Sequence, residues 1–463
     1  MLSLPQSPTC PGLFSPSSAA DGMLIRIRTP GGIINSRQCY AIANLADDFA
    51  AGYVHITNRA NLQVREIHKN LSIEVLNILQ ELGLGSRNLE VDPIRNIMSS
   101  PTAGIDSFEL IDTRPFVRAL DNYFQEHPEL AALSPKFSVC FDGGGAVSVG
   151  DRLNDIRLLA VVDGGNTYLR LYLCAKDTGV LVKKEEAIAL VAALADVYLS
   201  YTKQSDRPNY RRPRLKHLLE DWGIESYLKL VTGLTMQGAG SRGLGAGSGG
   251  LGMGIHPQRQ PNLFYIGITL PLGRLESWQL RGLADLARNY GSETLRLTPW
   301  QNLLISDIPN RSIADIQDEI SKLGLDCSGT SLYSALVACS GSIGCISSNT
   351  DTQTDALKLV AELNQKLSLK QPINIHFSGC EKSCAQHGGS DIALVGTKIQ
   401  QGDRTVEGYD IYVGVGDSSF GRELYRGVTI VEVPRILERI IKLYQRQQLT
   451  GESFGEFANR CHI

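Results

Sequence analysis

Apolar and polar residues alternate through Leu24, Ile25, Arg26, Ile27 and Arg28 before a Pro30-Gly31-Gly32 turn. Period-two alternation predicts a half-buried strand, and Pro-Gly predicts the turn that ends it. An amphipathic helical stretch follows, and then a second alternating strand through Asn61, Gln63 and Arg65. The same order of strand, turn, helix and strand returns 241 residues later, where 265–308 aligns without a gap on 24–67. Pro30/Pro271, Gly32/Gly273, Gln38/Gln279, Leu45/Leu286, Thr57/Thr298 and Asn61/Asn302 are identical across the two copies.

A weaker repeat has an offset of 236 and pairs the stretch from Lys136 with that from Pro372, bringing Phe141 onto Phe377, Gly143 onto Gly379, Asp155 onto Asp391 and Ile156 onto Ile392. Here a strand, a Gly-rich loop and a strand recur. A Gly- and Ser-rich run, 233–254, separates the halves, and its composition suits a linker. These patterns predict an α+β protein, internally duplicated, with two pseudo-twofold-related halves. The expected segments are a ferredoxin-like helix-on-sheet half-module at 20–92 and an α/β domain at 93–232. A linker at 233–258, a second half-module at 259–330 and a second α/β domain at 331–463 complete the chain. A large ligand could sit at the interface of such halves.

The chain has 463 residues, 43% hydrophobic and 20% charged, with a net charge of -3. That charge gives no general attraction to nucleic acid or an anionic membrane. The most apolar stretch, 187–199, is too short to span a bilayer and is interrupted by Asp196. The N-terminus lacks the charged and apolar regions of a secretory signal. Ten cysteines, several tightly clustered, point to metal binding in a reducing, cytoplasmic setting rather than to a disulfide framework.

Four of them stand as Cys339-x5-Cys345 and Cys380-x3-Cys384. Two close pairs far apart in sequence can bring four thiolates together, for a [4Fe–4S] cluster or a zinc ion. The x5 spacing is wider than structural zinc usually takes. The Gly and Ser residues around the pairs suit a bulky inorganic body approached by backbone. Cys10, Cys39, Cys140, Cys174, Cys327 and Cys461 are isolated and suggest no chemistry.

The copies have diverged in opposite senses. Gly144 and Ser148 stand in the first half where the second has Cys380 and Cys384. Conversely Arg26, Arg28, Arg59 and Arg65 map to Gly267, Thr269, Trp300 and Ser306. Arg95 and the run from Arg207 add positive charge. Arginines alternating along strands share one face, and guanidinium groups bind carboxylates bidentately. A polyanionic ligand beside a metal cluster is the expectation.

These residues resemble the sulfite/nitrite reductase superfamily over about 21–396. In that family the same cysteine motif holds a [4Fe–4S] cluster beside sirohaem, an octacarboxylate tetrapyrrole. The resemblance implies carboxylate-binding roles for Arg26, Arg59, Gln63, Arg95, Arg214 and Lys216, and cluster ligation by Cys339, Cys345, Cys380 and Cys384. Within the superfamily the chain is most similar to the precorrin-3B synthases. The opening CPGLFSPSSAADGMLIRIRTPGG, the short chain and GCEKSCAQHGG in place of a CPNxCG string carry that similarity. It implies an oxygen-dependent monooxygenase of cobalamin biosynthesis that hydroxylates precorrin-3A at C20 and closes a γ-lactone. Tetrapyrrole substrate, dioxygen, a mononuclear non-haem iron, and a ferredoxin or nicotinamide-dependent reductase as donor come with it. His256, His376 and His387 are the histidines near enough to the motifs to consider as iron ligands or buried residues. The alternative is a ferredoxin-dependent sulfite or nitrite reductase carrying sirohaem and [4Fe–4S].

Overall fold

Two antiparallel sheets, one built on each copy of the first repeat, complete themselves with a strand from the other copy. The computed structural model describes residues 10–204, 212–231, 237–238, 252–386 and 388–461. In the first sheet Ser17–Ala19, Gly22–Ile27, Leu62–Ile67 and Tyr53–Ile56 are joined at the edge by Arg274–Glu276 from the second half. In the second, Gly254–Pro257, Leu263–Ile268, Leu303–Pro309 and Thr294–Leu297 are joined by Ile33–Asn35 from the first. The registers are symmetric: Asn35 pairs with Thr294, and Glu276 with Tyr53.

The identical residues of the repeat do identical work. Asn35 and Glu276 cap the helices Ser36–Phe49 and Ser277–Tyr290, each in a box closed by Gln38 or Gln279. The amide of Gln38 donates to the Leu82 carbonyl and that of Gln279 to the Leu323 carbonyl. Asn61 accepts from the Thr29 N–H and Asn302 from the Leu270 N–H. Gly32 and Gly273 sit in the left-handed region at φ 72° and 69°. A Cβ there would lie 2.8 Å from the Leu297 or the Ile56 carbonyl, across the exchanged edge. The two helices pack together, with Tyr40 donating to Asp285 and Arg281 to Asn44 in pseudo-symmetric pairs. One apolar core runs through both copies, from Ile25 and Val64 to Leu283 and Ile305.

Each α/β module has a mixed sheet with its own core. In the first, Ile97–Ser99, Val139–Asp142 and Ile156–Asp163 run parallel before antiparallel strands Asn166–Leu173 and Lys176–Val182. In the second, Leu336–Ala338, Ile375–Ser378 and Ile392–Gln401 run parallel, followed by antiparallel Arg404–Ser418 and Gly421–Thr429. The weaker repeat is real at atomic detail. Asp155 accepts from the Ser138 N–H at 3.0 Å and Asp391 from the Asn374 N–H at 2.9 Å, two residue pairs related by the same 236 offset. Most of the 233–254 run, Arg207 to Arg211 and His387 lie outside the described residues.

Candidate functional site

The parallel pairing of Leu336–Ala338 with Ile375–Ser378 sets the C-terminal ends of these strands side by side. Cys339 and Cys380 follow directly. The Gly379 N–H donates to the Cys339 Sγ at 3.2 Å, and the Thr352 hydroxyl to the Cys339 carbonyl at 2.8 Å. A single helical turn, Gly341–Gly344, carries the chain to Cys345. Burial pushes the Cys384 thiol above its usual range, and the charges of Cys380, Cys339 and Cys345 push it further. All four cysteines are therefore electrostatic neighbours. They do not meet at one point: among the described residues no three His, Cys, Asp or Glu side chains gather closely enough to hold a single ion. Four thiols spaced around a body suit an iron–sulfur cube, whose ligands stand on separate irons.

The arginine face lies on the first half-module. Arg26, on Gly22–Ile27, donates to Gln63 Oε1 at 3.1 Å from the neighbouring strand. Burial draws its guanidinium down, opposed by Cys10 and reinforced by Arg59 and Arg65. Arg28, 3% exposed, is drawn down to about 10 by burial and by Arg26, with Asp92 acting against the shift. Arg59, from the turn between strands, donates to Asn154 Oδ1 at 2.6 Å and feels both Asp155 and Arg214. Arg214 reaches Asp155 at 3.5 Å just before the helix Leu215–Trp222. Lys216 is exposed on that helix and, with Arg214, acts on the Cys174 thiol.

Arg26, bonded to Gln63, thus lies within electrostatic reach of Arg59, and Arg59 within reach of Arg214, while Arg214 and Lys216 share Cys174 as a neighbour. Arg95 has a different setting. It is 2% exposed, clasps Asp121 through Nε at 2.7 Å and Nη2 at 3.0 Å, and shares Asp92 with Arg28. The donors Arg26 Nε, Arg28 Nε and Arg214 Nε are buried with no hydrogen-bond partner. Orphaned buried guanidinium N–H groups are costly unless an anion meets them, so the face fits a polycarboxylate.

Two contacts join this face to the cysteine loops. The Asn58 amide donates to the carbonyl of Ala385, next to Cys384, at 2.9 Å. Arg65 donates to the carbonyl of Gly344, next to Cys345, at 3.3 Å. Asn58 lies inside the ITNRANLQ string, and its place between the repeat's identical residues Thr57 and Asn61 was the available signal. Among the described residues the histidines contribute no ligand set. His256 Nε2 lies 2.7 Å from the Met253 carbonyl and its ring stacks on Tyr265. His376 is 1% exposed on its strand, with its ring facing Phe420.

The chain matches the family model described as "Nitrite/Sulfite reductase ferredoxin-like half domain" twice, at 16–82 and 256–323. It matches "Nitrite and sulphite reductase 4Fe-4S domain" at 90–237, the α/β module whose duplicate carries the four cysteines. A ferredoxin–nitrite reductase of Synechococcus elongatus is 30% identical over 94% of this chain and 86% of its own. One from Arabidopsis thaliana, a chloroplastic protein, is 31% identical over 90% of this chain and 76% of its own. A sulfite reductase [ferredoxin] of Mycolicibacterium paratuberculosis is 29% identical over 95% and 82%. The solved structure of the Mycobacterium tuberculosis NirA protein superposes with a TM-score of 0.79 at 25% identity, covering 95% of this chain and 83% of that one.

These similarities overturn the precorrin-3B synthase expectation. Lys382 and Ala385 around Cys384 are local departures in a chain that aligns with reductases over nine-tenths of its length. Precorrin-3A as substrate, dioxygen, lactone formation and the mononuclear iron fall with that reading. Among the described residues no helix is long and apolar enough to cross a membrane.

Proposed function

The chain belongs to the nitrite and sulphite reductase family, and from that premise we propose that it is a ferredoxin-dependent reductase acting on nitrite, with sulfite as the competing substrate. One observation supports this reading above the rest. The cysteine loops of one half are hydrogen-bonded, through Asn58 and Arg65, to the half that presents unpartnered guanidinium groups. A cluster and a polycarboxylate tetrapyrrole would then be neighbours by construction.

Cys339, Cys345, Cys380 and Cys384 would hold [4Fe–4S]; Arg26, Gln63, Arg59, Arg214 and Lys216 would bind sirohaem carboxylates. When bound, these groups supply single-electron transfer and a metal for the substrate oxyanion. The residues of the chain do the rest. The guanidinium groups neutralise carboxylates, and each charge-assisted hydrogen bond contributes about 1.5–3 kcal/mol. Arg95, already clasped by Asp121 and with Nη1 3.5 Å from Asp92, would act through Nη1. The whole surface also keeps positive potential beside an anionic substrate.

The deciding experiment is a content assay followed by turnover. Purified protein should contain iron, acid-labile sulfide and an extractable tetrapyrrole. With reduced ferredoxin it should convert nitrite to ammonium faster than sulfite to sulfide. Protein with iron and sulfide but no tetrapyrrole, inert toward both oxyanions, would refute the proposal.

A further inference from the structure

Arg65 sits on the strand Leu62–Ile67 with its side chain 9% exposed, far in sequence from the cysteines. Its Nε and Nη2 donate to the two carboxylate oxygens of Asp21, both at 2.8 Å. The same Nη2 turns to the Gly344 carbonyl at 3.3 Å. Gly344 has no room for a side chain, since a Cβ would lie 2.7 Å from that nitrogen and 2.8 Å from Ser340 Cβ. The contact is therefore a close fit of a charged fork on the backbone immediately before Cys345. Asn58 makes the matching contact on the backbone immediately after Cys384. The sister positions of Asp21, Asn58 and Arg65 are Asn262, Pro299 and Ser306, so the second half-module cannot make either contact from the equivalent positions.

We propose that Asp21, Arg65 and Asn58 are positioning residues for the cluster, bracing its two cysteine loops from the opposite half and setting its reduction potential through the Asp21–Arg65 charge pair. The inference rests on the proposed cluster at the four cysteines. A bidentate pair buried at this depth is weakly screened, so the charge left when one member is removed acts on its surroundings. A cluster takes up negative charge on reduction. An uncompensated Asp21 disfavours reduction, and an uncompensated Arg65 favours it.

The test is an EPR-monitored redox titration of the as-purified holoprotein, with iron and sulfide measured on the same samples. Arg65→Met should lower the midpoint of the cluster and Asp21→Asn should raise it. A purely structural role would move both in the same direction or neither, and either of those results overturns the proposal. If Arg65→Met fails to fold, Arg65→Lys and Asn58→Ala carry the test. Each should shorten the lifetime of the cluster in chelator severalfold while the melting temperature stays at the wild-type value, and unchanged lifetimes in both overturn the brace. Wild-type protein with a cluster and unresponsive variants defeats the brace alone. Wild-type protein without iron and sulfide defeats the proposed cluster and the brace together.

Discussion

Loops 100–112 and 339–351 occupy matching places, each between the first strand and the first helix of an α/β module, and each docks on the other half. In the first loop, Arg296 of the second half donates to the Pro101 and Ala103 carbonyls at 3.1 and 2.8 Å. Gln260 donates to the Gly104 carbonyl, and Glu109 folds back onto the Gly104 N–H. In the second loop, Arg65 of the first half donates to the Gly344 carbonyl. The docking plan is shared: an arginine from one half holds loop carbonyls of the other. What differs is the cargo, a buried carboxylate in one loop and cluster-type cysteines in the other. Duplication supplies the frame, and the chemistry sits where the symmetry is broken.

The most damaging way to break this comparison is at the cysteines. Cys380→Ser should abolish the cluster and turnover, read as lost iron, sulfide and visible absorption. Full iron and sulfide in that variant would mean the second loop carries no cluster. Next come the arginines that the second half lacks. Arg26→Ala and Arg59→Ala should each weaken tetrapyrrole retention roughly ten- to a hundredfold, the equivalent of about 1.5–3 kcal/mol, with the cluster spectrum retained. Equilibrium dialysis of the tetrapyrrole against wild type measures it.

Trp300 is the uncharged counterpart of Arg59 and packs on Met98, Cys140 and Val149 with Arg152 over its ring. Trp300→Ala should cost about 2 kcal/mol in denaturant unfolding and leave tetrapyrrole affinity near wild type, the reverse of the Arg59 result. The smallest effect belongs to Glu109. Burial lifts its carboxyl from about 4.5 to about 7. The folded state therefore holds a proton that the unfolded state releases, so this contribution is full below pH 4.5 and is lost as pH rises through about 7. Glu109→Gln should flatten the fall in unfolding free energy across that window by on the order of 1–2 kcal/mol, solvent screening keeping it below the full value of the shift.

The duplication was legible because its identical residues have fixed geometric duties. Pro30 and Pro271 open equivalent turns, Gln38 and Gln279 close equivalent capping boxes, and Asn61 and Asn302 tie equivalent strands. The cysteine spacing was equally plain. The exchanged strands were not, because Ile33–Asn35 and Arg274–Glu276 are three residues long and carry no readable alternation. The contacts Asn58–Ala385 and Arg65–Gly344 join residues about 300 positions apart, and no local pattern announces them. The choice of reaction failed for a related reason. The opening string, the chain length and a few residues around Cys384 are local or coarse features, and only the whole chain separates one branch of a superfamily from another. The clasping of Arg95 by Asp121 was likewise invisible, since charge on a sequence says nothing of who neutralises it.

The exchange of edge strands also sets a timetable for synthesis. When the first half leaves the ribosome, the edge Tyr53–Ile56 has no neighbour until Arg274–Glu276 has been made. At about 5–20 residues per second the nascent chain waits on the order of 10–45 seconds with that edge open. An open edge is a template for pairing with another chain. A ribosome stalled between the halves would therefore release a fragment primed to join a second copy of itself, and a chaperone that holds nascent chains would have its work at this strand.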